Sequence, residues 1–140
     1  MKVIALKGKS NVGKSETVNI VYQFLLSEGF QQMPGIFSVC GNPAMRDFID
    51  VLEKDGVKVG IVSQGDYVRE LKKHLHLFKT SECVIAICAC TIKNGTIKAV
   101  EAYAHHFIDK TISATNGQQR IDNGVDAEKI MKEVLRDIMK

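Results

Sequence analysis

The eight residues Gly8-Lys9-Ser10-Asn11-Val12-Gly13-Lys14-Ser15 match G-x-x-x-x-G-K-[ST] at every fixed position. Each residue type there has a physical task. The glycines allow a tight turn in which successive backbone N–H groups converge on one centre, as a phosphate-cradling loop of the Walker A type requires. A helix starting at the end of the loop adds the partial positive charge of its N-terminus. Lys14 can reach outer phosphates, and the Ser15 hydroxyl can serve a Mg²⁺ ion. Ser10, Asn11, Val12 and Glu16 complete the candidate binding segment with Gly8 and Gly13.

Ligands of open α/β sheets bind beyond the carboxyl ends of the strands. That rule selects Asn42 to Arg46, Ser63 to Asp66, Thr91 to Asn94, and Thr115-Asn116, the last pair counted with the nucleotide-binding residues. Asp66 has two readings. A carboxylate beyond an apolar strand suits a Mg²⁺ partner for Ser15. The same residue would also cap a helix over Tyr67–Phe78, where an acceptor is wanted anyway. Phosphoryl transfer needs charge stabilisation and in-line positioning more than covalent chemistry from the protein. Cations other than Lys14 therefore matter: Arg46 follows a strand exit and is the candidate catalytic cation, while Arg69 and Lys93 can equally be solvated charges.

The elements that must position these residues follow from hydrophobic period. Apolar runs of four to eight residues alternate with longer amphipathic stretches, the pattern of βα units around a parallel sheet. Strands are expected at Lys2–Leu6, Gly35–Cys40, Val57–Val62, Val84–Cys90 and Phe107–Ser113. Helices are expected from Lys14 to Ser27, from Asn42-Pro43 with Phe48, Ile49 and Leu52 on its buried face and Gly56 at its end, and from Tyr67 to Phe78. Two more are expected over Thr96 to His105 and Asp126–Met139, with Asn116–Gly124 as a loop before the last. The fold class predicted is α/β, three layers, with residues 1–140 as a single domain.

The chain of 140 residues is 45% hydrophobic and 25% charged, with a net charge of +3. That balance is ordinary for a soluble domain, and the charge is too mild to indicate nucleic acid. The apolar run before the loop has neither the length of a membrane span nor the form of a signal peptide, so a cytoplasmic protein is expected. Cys40, Cys83, Cys88 and Cys90 contain no C-x-x-C and read as reduced, mostly buried thiols. His74, His76, His105 and His106 lack ligand spacing on a helix face.

With Gly8–Ser15, the segments Val59–Asp66 and Ile87–Thr96 carry a resemblance to the P-loop NTPase superfamily, within it to the small nucleoside/nucleotide kinase-like branch of bacteria and phages. The resemblance implies a five-stranded parallel sheet of P-loop NTPase type in the order 2-3-1-4-5. It implies ATP and Mg²⁺ as cofactors, phosphate binding at Gly8, Gly13, Lys14 and Ser15, and metal binding at Ser15 and Asp66. The activity so implied is phosphoryl transfer from a nucleoside triphosphate to a small nucleotide or metabolite, with self-association left open. The chain departs from that branch in having no inserted arginine-rich lid and Cys90-Thr91 at the exit of the fourth strand. A nucleotide-binding accessory or sensor protein with weak turnover is the alternative. A GTPase switch lacks support, because neither N-K-x-D nor D-x-x-G accompanies Asn11-Val12-Gly13-Lys14-Ser15.

Overall fold

The computed structural model describes residues 1–9, 12–39, 47–93 and 95–139. Among them seven strands form one mixed sheet: β1 (Lys2–Lys7), β2 (Gln31–Gln32), β3 (Ser38–Val39), β4 (Phe48–Lys54), β5 (Val57–Val62), β6 (Ile85–Cys90) and β7 (Ala104–Asp109). The helices are α1 (Lys14–Ser27), α2 (Val68–Thr80), α3 (Thr96–Glu101) and α4 (Asn116–Ile138). The strand order is β2-β4-β5-β6-β1-β7, with β3 also on β4. Pairs β5·β6, β6·β1 and β1·β7 are parallel, while β4 runs antiparallel to β5, β2 and β3. The expected five-stranded, all-parallel P-loop sheet in the order 2-3-1-4-5 is therefore wrong. The strand of Ile85–Cys90 lies between those of Val57–Val62 and Lys2–Lys7, and the far edge is a set of antiparallel strands.

The main source of that error is the segment after Asp47, expected to be helical. Phe48–Lys54 is a strand that turns straight back into β5. Asp55 and Gly56, with φ of 52° and 81°, form the two-residue turn whose twist suits a hairpin, so Gly56 ends no helix. As a strand, Phe48 and Leu52 join one core cluster and Ile49 and Val51 the other. Asp50 shares the first face, fully buried, and accepts from the Tyr22 hydroxyl at 2.8 Å and Gln32 Nε2 at 3.1 Å. Burial first, and then the bond to Asp50, push the Tyr22 phenol up to about 12, which keeps it a neutral donor.

Other boundaries also shift. Of the expected strand Gly35–Cys40, Ser38–Val39 is strand at a sheet edge and Gly35 to Phe37 is not, while Cys40 lies outside the described residues; Phe107–Ser113 begins earlier as Ala104–Asp109. The helix expected to reach His105 ends at Glu101. The helix expected from Asp126 begins ten residues sooner, so the Gly/Asn-rich stretch Asn116–Gly124 is helical rather than looped. Helices cover both sheet faces: α1 and α4 pack on Ile4, Leu6, Ile61 and Ile87, and α2 and α3 on Val3, Ala5, Ala86 and Cys88. Cys83, Cys88 and Cys90 are buried free thiols. Among the described residues no helix is long and apolar enough to cross a membrane.

Candidate functional site

The chain leaves β1 toward one side of the sheet through α1, and leaves its neighbour β6 toward the other through α3. Adjacent strands whose connections diverge in this way open a crevice at their carboxyl ends. Lys14 sits in that crevice. Its ammonium donates to the Gly8 carbonyl at 2.7 Å, to Asp66 Oδ1 at 3.1 Å and to the Cys90 carbonyl at 3.2 Å. The side chain is only 6% exposed, whereas that of Asp66 is 45% exposed. Burial pushes the Cys90 thiol up to about 11, so it stays protonated and only its carbonyl takes part.

The loop itself is anchored on both flanks. The Gly8 N–H donates to Cys90 at 3.1 Å, and the Gly13 carbonyl accepts from Thr17 through its N–H and its hydroxyl, at 3.0 and 2.8 Å. Gly13 adopts φ 94° as it leads into α1, a conformation glycine takes without strain. Ser15 does not meet Asp66. Its hydroxyl donates to Asp47 Oδ1 at 2.8 Å, and the Ser63 hydroxyl donates to the same oxygen at 3.1 Å. Ser63 is held in turn by the open end of the β4–β5 hairpin, where Phe48 N–H donates to its hydroxyl at 2.9 Å.

Asp66 forms an ion pair with Lys14 at 3.1 Å. It does not cap α2, since the residue at the N-cap is Tyr67 and makes no side-chain cap bond. The approach depends on Gly65, because a Cβ there would collide with the carbonyl of Ala89 in β6. Asp47 is the site residue that sequence reasoning missed. The signal was present in the Asp55-Gly56 turn: a two-residue hairpin sets Lys54 against Val57, and counting back sets Phe48 against Ser63, with Asp47 the next residue along.

On the other flank, Lys110 follows β7 and forms a fully buried ion pair with Asp126 of α4 at 3.0 Å. Burial would raise the Asp126 carboxyl, but the Thr111 N–H, Lys110 and the Thr111 hydroxyl outweigh it and hold the group below its ordinary value. This pair ties α4 to the ends of β7 and β1, since Lys110 N–H also donates to the Lys7 carbonyl at 2.8 Å. Thr115 is the N-cap of α4, accepting from Gln118 N–H at 3.1 Å, and Asn116 opens that helix; both are exposed. Glu16 and Arg69 are exposed, and Val12 is half-buried in the loop. Arg46, Ser10 and Asn11 lie outside the described residues, as does Asn94.

A cavity of about 560 Å³ opens between α2 and α3, starting at Val68 and Gly95 just beyond β5 and β6. Lys72, His76, Lys98 and Tyr103 line it. Among the described residues no group of three or more His, Cys, Asp or Glu could hold a metal ion. No family model, curated protein or solved structure matches the chain.

Proposed function

We propose that this chain binds ATP through Gly8–Ser15 and acts as a cytoplasmic, kinase-like phosphotransferase on a small nucleotide or metabolite. The observation that carries the reading is Lys14: a buried amine at the carboxyl ends of β1 and β6, held by two carbonyls and one half-exposed carboxylate. That ammonium can exchange Asp66 for an incoming phosphate oxygen while keeping the Gly8 and Cys90 carbonyls. Electrostatic stabilisation of this kind is the main demand of phosphoryl transfer.

Ser15 and Asp47 fit Mg²⁺ in their chemistry. Two hard oxygen donors from the protein suit an ion that takes one or two carboxylates, phosphate oxygens and its own waters. When bound, the ion would neutralise charge on the outer phosphates. Ser63 would fix the Asp47 carboxylate, and Asp66 would serve as the resting counter-ion of Lys14. The cavity between α2 and α3 supports an acceptor cleft, and Lys72 and Lys98 on its walls favour an anionic acceptor.

The test is incubation with Mg-ATP and a panel of nucleosides, nucleoside monophosphates and small phosphorylated metabolites. Transfer to an acceptor is expected, with a loss of about a hundredfold or more in Lys14→Ala. Equal rates for the parent and Lys14→Ala would remove Lys14 from the chemistry. Tight ATP binding with no transfer to any acceptor would return the sensor reading.

A further inference from the structure

Asn123, in the second turn of α4, is fully buried, yet among the described residues neither Oδ1 nor Nδ2 has a hydrogen-bond partner. A buried amide in that state works against stability. Asn123-Gly124 also places two poor helix formers side by side inside a helix of 23 residues. Departures from local preference of this kind gather where function requires them.

The amide lies against the phosphate loop. A Cβ added to Gly13 would stand 2.6 Å from Oδ1 and 3.0 Å from Nδ2. Because Asn123 is sealed from solvent, it sits behind the loop rather than in its mouth. The Gly13 carbonyl is already occupied by Thr17. In a loop that cradles an anion, N–H groups turn inward, and the carbonyl of each such peptide turns the opposite way. For the peptide joining Val12 to Gly13, the outward carbonyl is that of Val12.

We propose that Asn123 is a positioning residue for the phosphate loop: Nδ2 donates to the Val12 carbonyl when an oligophosphate occupies the loop, holding the Gly13 N–H on the anion. α4 thereby becomes part of the binding apparatus without touching the ligand. The bond is made in the occupied form, so ligand binding would satisfy a buried amide that otherwise has no partner among the described residues. This rests on the reading of Gly8–Ser15 as a phosphate site.

The experiment compares the full chain with Asn123→Leu, a substitution of similar shape, by calorimetric titration with inorganic tripolyphosphate and by thermal unfolding without ligand. The expected result is a Kd for tripolyphosphate raised about tenfold, with a ligand-free Tm equal to or above that of the parent. A merely structural asparagine would give the opposite split, a lowered ligand-free Tm and an unchanged Kd, and that would overturn the proposal. In the parent protein, the Asn123 side-chain NH₂ resonances should move downfield and exchange more slowly when tripolyphosphate saturates the loop. Unmoved resonances at saturation would overturn the proposal even if Asn123→Leu failed to fold. If the parent bound no tripolyphosphate, the phosphate-site reading would fall first and this one with it. Binding by the parent with an unchanged Kd in the variant would remove this one alone.

Discussion

Replacing Asp66 by Asn tests whether Lys14 is held in reserve by its carboxylate. The pair is 3.1 Å long, with side-chain exposures of 6% for Lys14 and 45% for Asp66. At an effective dielectric of about 20 the Coulomb attraction at that distance is about 5 kcal/mol. The half-exposed carboxylate loses hydration to make the pair and is screened by salt, which leaves a net value of about 1 kcal/mol. An incoming phosphate must displace that interaction. Asp66→Asn should therefore tighten metal-free tripolyphosphate binding about fivefold, since 1.4 kcal/mol corresponds to a factor of ten. Calorimetric titration at low salt reads this directly, and the gain should shrink as salt rises. The contrasting variant is Asp47→Asn. It should leave metal-free binding nearly unchanged and abolish most of the enhancement by Mg²⁺, because Asp47 is the carboxylate on Ser15. Weaker metal-free binding by Asp66→Asn would refute the reserve role. Loss of the Mg²⁺ enhancement in Asp66→Asn alone would make Asp66 the metal partner instead.

Two further outcomes follow from packing and titration. Gly65→Ala should destabilise the fold by about 3 kcal/mol and lower Tm by about 10 °C, because its Cβ meets the backbone of Ala89. Gly124→Ala has open space around its Cβ and lies inside α4, so it should stabilise by about 1 kcal/mol; similar Tm changes in the two variants would contradict this account. Glu133 is held below its ordinary pKa by Lys2 foremost, and Asp126 by Thr111 and Lys110 against the opposing effect of burial. Both folded values lie below the unfolded ones, so the stability they contribute is present above about pH 4 and is lost as pH falls through the folded values. The urea midpoint should fall modestly between pH 7 and pH 5, because burial holds His74 below its ordinary pKa and the unfolded chain takes up that proton first, and fall further below about pH 4, the second fall being less steep in Glu133→Gln. An identical slope in the variant would exclude Glu133 as a contributor.

Legibility differed between the two flanks of the sheet. Lys2–Leu6, Val57–Val62 and Val84–Cys90 were readable because each is a largely apolar run of strand length, rich in Val and Ile or bounded by turn residues, and too short for a core helix. α1 was readable from period and from Gly29 at its end. Phe48–Lys54 was not, because Phe48, Ile49 and Leu52 fit a helical stripe as well as a strand with both faces covered. The deciding cue was the turn chemistry of Asp55-Gly56, which favours a hairpin over a helix end. In Asn116–Gly124 the local cue pointed the wrong way. Gly and Asn disfavour a helix, but Asn123, Asp126 and Ala127 are buried against the rest of the protein, and tertiary packing overrode propensity.

The sequence by itself determined the G-x-x-x-x-G-K-[ST] pattern of Gly8–Ser15 and the strand–loop–helix context around it, since glycine conformation, lysine reach and hydrophobic period are local properties. Which carboxylate faces Ser15 and which faces Lys14 was decided only by the tertiary structure. Asp47 and Ser15 are 32 residues apart, and Asp66 and Lys14 are 52 apart. Their pairing depends on strand order, on one hairpin register and on a glycine pressed against a neighbouring strand. None of these is encoded in a short window, because each arises from one segment packing against another that is distant along the chain.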